Sequence, residues 1–390
     1  MCNHRDEMAQ EHAHASQAAS SKGGSMDRRD FIKLGAGVGA VALTGLEAGQ
    51  AFAQPQGEKV NGGQVKGSSI DLHTHWTPPV YIDALKQMKL APGAAAGNLN
   101  PNMESPGVNL EKRIAWMDGH GVQMHVLTLS GGMPWQWLSA SDGNHLAQVI
   151  NDAGIAAHQK YPTRFMAGIE IDVRDPQGAV KEINRVAGKP GLRAIHLPNS
   201  FDNKDYLFEP EFEPVLKRAD ELAYPLLFHP LDGEENIYGG KERLGNPLAV
   251  SANINNTCGF TFEHATTAAK FIITGTLDKF PNLEIVLPHS GGSFPYIAGR
   301  IERGLKSKNF ATNRPFREYI RRFHYDTLTW YPETMRYLIA LVGPDRVVIG
   351  TDNYAPMDVE YPNELVESIH LPEKDLDLIL KGNASRLLKI

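Results

Sequence analysis

Eight short apolar runs, each followed by a longer stretch of helical period, constrain what this chain can become. They are Ile70–Leu72, Gln123–Leu129, Phe165–Ile171, Leu192–Leu197, Pro225–Phe228, Leu283–Leu287, His324–Thr327 and Arg346–Ile349. Strand-length runs separated by helices predict βα units and a parallel sheet. The helical stretches are Leu110–His120, His145–Tyr161, Pro176–Val186, Glu211–Leu222, His264–Lys279, Pro295–Gly304 and Pro332–Leu341, with a last one near Lys374–Lys381. Eight such units are the count of a closed (β/α)8 barrel, an α/β fold of ~250 residues. The rival, a doubly wound open sheet, carries a Gly-rich phosphate fingerprint after its first strand, and this chain has none there. The excess length falls in two insertions, Lys86–Gly107 after strand one and Asp232–Glu263 after strand five.

The barrel accounts for residues 69–390. Ahead of it, residues 54–68 are Gly- and Gln-rich and read as a linker. Residues 1–53 read as an N-terminal extension ending in an export signal. Arg28-Arg29-Asp30-Phe31-Ile32-Lys33 precedes an apolar, Gly/Ala-rich run from Leu34 to Leu46, then the small-x-small site Ala51-Phe52-Ala53. This layout resembles a twin-arginine signal cleaved after Ala53. The apolar run is shorter than the ~20 residues a membrane-spanning helix needs. The mature chain is therefore expected to have no membrane span and to be periplasmic or secreted, with the twin-arginine machinery as its partner in export. Met26 offers an alternative start to Met1, and the three scattered histidines before it are left out of the site.

Charge and cysteine content narrow the function further. The 390 residues carry a formal net charge of −6 and no basic stripe, which excludes nucleic acid and anionic membrane as partners. Cys2 leaves with the extension, so the mature chain keeps Cys258 alone and can form no internal disulfide. No histidine pattern brackets Cys258, and it reads as a structural thiol.

Chemistry concentrates at the strand ends. Asp71-Leu72-His73-Thr74-His75 ends the first strand, and strand side chains alternate, so His73 and His75 point the same way and both can reach one ion. The fifth strand ends in His229-Pro230, the sixth in His289-Ser290-Gly291-Gly292, and the eighth in Gly350-Thr351-Asp352. A barrel brings all these ends to one face, where enzymes of this fold place catalytic residues. Imidazole and carboxylate together suit zinc and similar divalent metals. Trp76, Trp135, Trp137 and Trp330 follow strands one, two and seven and are candidate contacts to a planar small-molecule substrate. His120, His125, His145, His158, His196, His264 and His324 lack the strand-end pattern and read as structural, or at most as supports for the site.

These motifs resemble the amidohydrolase superfamily, its second amidohydrolase-related family in particular, from Ile70 to the closing Gly382-Asn383-Ala384-Ser385-Arg386-Leu387-Leu388. Thr276-Leu277-Asp278-Lys279-Phe280-Pro281-Asn282-Leu283, leading to His289 and Gly299-Arg300-Ile301, is similar to the aminocarboxymuconate semialdehyde decarboxylase group. The resemblance implies one metal ion per chain, zinc or alternatively manganese, held by His73, His75, His229 and Asp352. It implies His289, with Asp352, as the acid/base group, and a homodimer as the assembly. Strand four has no lysine, which points away from a binuclear site. The chain departs from that group in having Leu231 after His229-Pro230, where the group has Trp, and in lacking an arginine within Pro92–Val108. If a substrate carboxylate is bound, Arg113 or Arg193 must hold it instead.

Two reactions follow from such a site. One is non-oxidative decarboxylation of a small cyclic or conjugated acid. The alternative is hydrolysis of an ester, lactone or amide by metal-bound hydroxide, since a divalent ion lowers the pKa of bound water to about 7. A barrel that keeps its metal without turnover is a third possibility.

Overall fold

The computed structural model describes residues 69–88, 102–129, 138–201, 205–231, 254–355 and 357–390. All lie in the compact unit Gln64–Ile390. Eight strands run in chain order: β1 (Ser69–Trp76), β2 (Val122–Leu129), β3 (Phe165–Ile169), β4 (Leu192–Pro198), β5 (Leu226–His229), β6 (Ile285–Leu287), β7 (Phe323–Asp326) and β8 (Val347–Val348). Each pairs in parallel with the next. The sheet closes through parallel bridges Asp71–Ile349 and Thr74–Asn353, and the Leu72 amide donates to the Ile349 carbonyl at 3.0 Å. The expected (β/α)8 barrel is what the chain forms.

The main outer helices are α1 (Pro79–Gln87), α2 (Leu110–Gly119), α3 (Ala140–Lys160), α4 (Pro176–Val186), α5 (Glu213–Leu222), α6 (Phe260–Ile273), α7 (Phe294–Ser307) and α8 (Pro332–Val342). Their starts are written locally. Asn109, Ser139 and Asp175 cap α2, α3 and α4 by accepting from amides of the first turn, which satisfies donors that have no partner within the helix. Proline opens α1, α4 and α8, where its missing N–H costs nothing.

Two cores result. The large one lies between strands and helices and includes Trp76, Leu127, Leu129, Phe165, Ile195 and Phe228. The small one fills the barrel: Ile70, Leu72, Met124, Val126, Met166, Ala194, Leu227, Val286 and Val348 pack with Ala384, Leu387 and Leu388 of the last helix.

Three sequence expectations need correction. The helix expected from His264 begins earlier, at Phe260 after a π turn over Asn255–Gly259, so the end of the strand-five insertion is helical. That helix also stops at Ile273, because Gly275 takes φ +72° before a separate turn, Thr276–Lys279. Helix α1 occupies a stretch for which no element was expected. Residues 89–101 of the first insertion and 232–253 of the second fall outside the described residues.

Candidate metal centre

Strand β1 carries an irregularity between Asp71 and Thr74, where three steps along β1 match two along β2. A bulge of this kind re-aims side chains. Leu72 belongs to the barrel-filling core, yet the adjacent His73 also faces the interior and lines a cavity with Leu72. Asp71, on the other face, holds the turn: its Oδ1 accepts from the His73 amide (3.0 Å) and its Oδ2 from the Thr351 hydroxyl (2.5 Å). Burial pushes the Asp71 carboxyl up to about 7 despite these donors.

His73, His75, His229 and Asp352 offer one ligand atom each, all within 4.8 Å of one another. From Asp352 Oδ1 the His75, His73 and His229 Nε2 atoms stand at 2.9, 3.3 and 3.9 Å. Atoms bound tetrahedrally at 2.0–2.1 Å from one ion lie about 3.4 Å apart, so the spacing suits a single divalent metal. The ring nitrogens are prepared for it. His73 Nδ1 is fixed by Asp326 at 2.7 Å and His229 Nδ1 by the Pro230 carbonyl at 2.7 Å, which turns both Nε2 atoms toward Asp352. Such an outer partner on the far ring nitrogen is the usual companion of a metal-binding histidine. His73 Nε2 is buried, and the nearest polar atom recorded for it is Asp352 Oδ1 at 3.3 Å, itself one of the four candidate ligand atoms.

Burial lowers the pKa of His75 and, with the neighbouring His75 and His73 rings, lowers that of His229 strongly. Both changes favour the neutral ligand form. Burial also opposes charge on His73, but the carboxylates of Asp352 and Asp326 outweigh it and hold this ring's pKa at about 10. Burial raises the Asp352 pKa, yet His73 and hydrogen bonds from His289, His73 and His75 more than reverse it, and the carboxylate stays ionised.

His289 sits beside the cluster, its Nε2 3.6 Å from Asp352 Oδ2. It opens a short turn, His289–Gly291, in which His289 and Ser290 take φ +52° and +56°. Such values are strained for residues with a Cβ. Asp326 holds the turn by accepting from the amides of His289 (3.0 Å) and Ser290 (2.7 Å). The two glycines that follow are sterically required. A Cβ on Gly291 would lie 2.6 Å from the Tyr325 ring, and one on Gly292 would lie 2.3 Å from the Thr261 carbonyl oxygen.

All five metal-site residues expected from the sequence thus come together. The tryptophans do not. Trp76 is buried in the outer core and donates its indole N–H to the Val108 carbonyl at 3.0 Å, because its place on β1 has the opposite parity to His75. Trp330 is on the correct face and 45% exposed. Trp135 and Trp137 lie outside the described residues. Neither arginine suits a substrate carboxylate. Arg113 is wholly buried, gives its N–H groups to the Pro106 and His75 carbonyls, and stacks over Tyr354. Arg193 bonds the backbone at Lys189 and Leu192, at the opposite end of β4 from the histidines.

One residue was missed, and two others stand in the supporting position the sequence reading had left open to them. Asp326 carried no sequence signal beyond closing an apolar run. His264, read as structural or at most a support for the site, reaches from α6 to His289 with Nε2 2.9 Å from its Nδ1. His196 is held by Glu170 at 2.8 Å and lines a cavity of about 10 Å3 with His73, His229 and Asp326.

With this geometry in view, the comparisons decide the lineage. The amidohydrolase family model matches residues 70–390. The chain belongs to this family. A twin-arginine translocation signal model matches residues 25–45. The chain is 27% identical over 344 residues to a 2-amino-3-carboxymuconate-6-semialdehyde decarboxylase of Dictyostelium discoideum, covering 82% of this chain and 91% of the relative. It is 26% identical over 295 residues to a gamma-resorcylate decarboxylase of a Rhizobium species, covering 72% and 87%. The solved structure of a 5-carboxyvanillate decarboxylase from Novosphingobium aromaticivorans, with bound manganese, superimposes with a TM-score of 0.69 at 22% identity. That match covers 84% of this chain and 99% of the other.

Proposed function

We propose that this protein is an exported, metal-dependent carboxy-lyase that removes CO2 from a small aromatic or conjugated acid without an oxidant. The observation that carries the reading is the single cluster of His73, His75, His229 and Asp352 with His289 at its edge, in a chain whose named relatives are decarboxylases. A divalent ion held there would supply a Lewis acid able to bind and orient an anionic substrate. In such a reaction the bond from ring carbon to carboxylate breaks, CO2 leaves, and the carbon takes up one proton. Asp352 and His289 are the residues placed to organise that proton. The barrel interior beneath them is apolar, which strengthens electrostatic interactions in the site.

The metal is zinc or manganese, one ion per chain, and the export signal with residues 1–53 is removed to leave a periplasmic or secreted enzyme. The twin-arginine match at residues 25–45 supports this route, and no helix among the described residues is long and apolar enough to cross a membrane.

The test is a product assay on purified, metal-replete protein. Incubation with gamma-resorcylate, 5-carboxyvanillate and related aromatic acids should release CO2 in proportion to acid consumed. Base uptake with esters, lactones or amides, and no CO2 from any acid, would establish hydrolysis instead. Elemental analysis of the same sample identifies the ion.

A further inference from the structure

The contact between α6 and the His289 turn determines more than the position of the ring. His264 is fully buried one helical turn beyond Thr261, and the Thr261 carbonyl accepts from the Ser293 amide at 3.1 Å. Helix and turn are therefore pinned together, and His264 Nε2 meets His289 Nδ1 at 2.9 Å. A hydrogen bond between two imidazole nitrogens needs a proton on one of them and a lone pair on the other.

Two arrangements satisfy it. If His289 donates from Nδ1, His264 must accept at Nε2 and carry its own proton on Nδ1. That nitrogen is buried and has no partner among the described residues. Buried N–H groups without an acceptor are rare in folded proteins, and a bare acceptor is somewhat better tolerated. The same arrangement would also aim the His289 Nε2 lone pair at the Asp352 carboxylate, 3.6 Å away, a repulsive contact. If His264 donates from Nε2, both problems vanish. The bare nitrogen of His264 is then an acceptor, and His289 Nε2 carries an N–H that points toward an anion.

We propose that His264 is a positioning residue for His289, donating to its Nδ1 and so keeping the His289 proton on Nε2, facing the metal cluster. The consequence rests on the decarboxylase reading and deepens it. His289 meets the substrate as an N–H donor, suited to an anion that develops as CO2 leaves. A hydrolase that used His289 as its base would need the opposite, a bare Nε2 to accept a proton from water.

The experiment is imidazole 15N NMR of zinc-loaded protein, with the His289 signals assigned by their loss in His289→Phe. Wild type should show the Nε2–H form of His289. His264→Phe should lose this preference while keeping its zinc. His264→Gln, whose amide can still donate to Nδ1, should retain it. In turnover of gamma-resorcylate, or of whichever acid in the panel is consumed, His264→Phe should lower kcat at least ~10-fold with KM little changed, and His264→Gln should recover most of the loss. Finding the Nδ1–H form in wild type, or an unchanged His289 tautomer in His264→Phe, would overturn the proposal. Should His264→Phe fail to fold, the wild-type and His264→Gln spectra still decide it. If no acid is consumed, the decarboxylase reading fails while the NMR result stands by itself.

Discussion

The two ends of the barrel both bury histidine beside carboxylate, and they use it in opposite ways. At the C-terminal ends of the strands, Nε2 atoms of three rings converge on Asp352 while the far nitrogens of His73 and His229 are tied down. At the other end, His324 is as deeply buried, but everything converges on its one Nε2: Glu284 at 2.9 Å, Arg386 at 3.3 Å and Arg346 at 3.4 Å. The lower cluster balances its own charge with two guanidinium groups. The upper one has three rings facing Asp352, with Asp326 behind His73, and no cation among its own residues except a proton on His73. Burial alone therefore does not mark a metal site. Convergence of undedicated nitrogens does.

The contrast can be broken most severely at the upper end. The paired change His73→Ala/His75→Ala should abolish metal binding and with it turnover, measured as ion content per chain and CO2 release. Retention of stoichiometric metal would refute the ligand assignment. A milder change tests the outer support: Asp326→Asn weakens the grip on His73 and on the His289 turn, and should lower metal affinity about 10- to 100-fold, read by competition with a chromogenic chelator. The smallest effect is expected below. Glu284→Gln should leave metal content and kcat unchanged, yet lower the free energy of unfolding by about 1–3 kcal/mol at neutral pH.

That last loss should also depend on pH. Burial raises the Glu284 pKa, but His324 and Arg386 outweigh it and bring it to about 2, from an ordinary 4.5. A carboxylate whose folded pKa is depressed contributes stability that is complete above its unfolded value and disappears as pH falls through the folded one. Urea denaturation of wild type and Glu284→Gln should therefore converge between about pH 5 and pH 2. Parallel curves over that range would show that the lower cluster does not depend on the charge of Glu284.

Much of this was legible in the sequence because two periodicities were strong. All eight strands were found, since each is an apolar run bounded by turn residues, and the residues that converge at the strand ends were found because they directly follow those runs. The same alternation that placed His73 and His75 together should have sent Trp76 to the other face, where it lies. What escaped depends on contacts between distant elements. Asp326 meets His73 across 253 residues and His264 meets His289 across 25, and neither pairing leaves a local pattern. The bulge in β1 is equally silent, because it shows only in the register against β2. Helix α6 was placed too late because Asn255, Thr257 and Gly259 before it read as loop, yet they form the π turn that leads into it.

The seam between β1 and the segment after β8 has a further meaning for how the protein is made. The His73 carbonyl accepts from the amides of Asp352 (2.9 Å) and Thr351 (3.3 Å), and the His75 amide donates to the Asn353 carbonyl. Residues of the candidate metal cluster are thus also the stitches that close the cylinder, and His75 and Asp352 are 277 positions apart. A nascent chain emerging from the ribosome holds His73 and His75 long before Asp352 has been translated. No chain that ends before Asp352 can possess the four-residue cluster. Any ion is captured by the finished barrel, after the last strand has docked against the first.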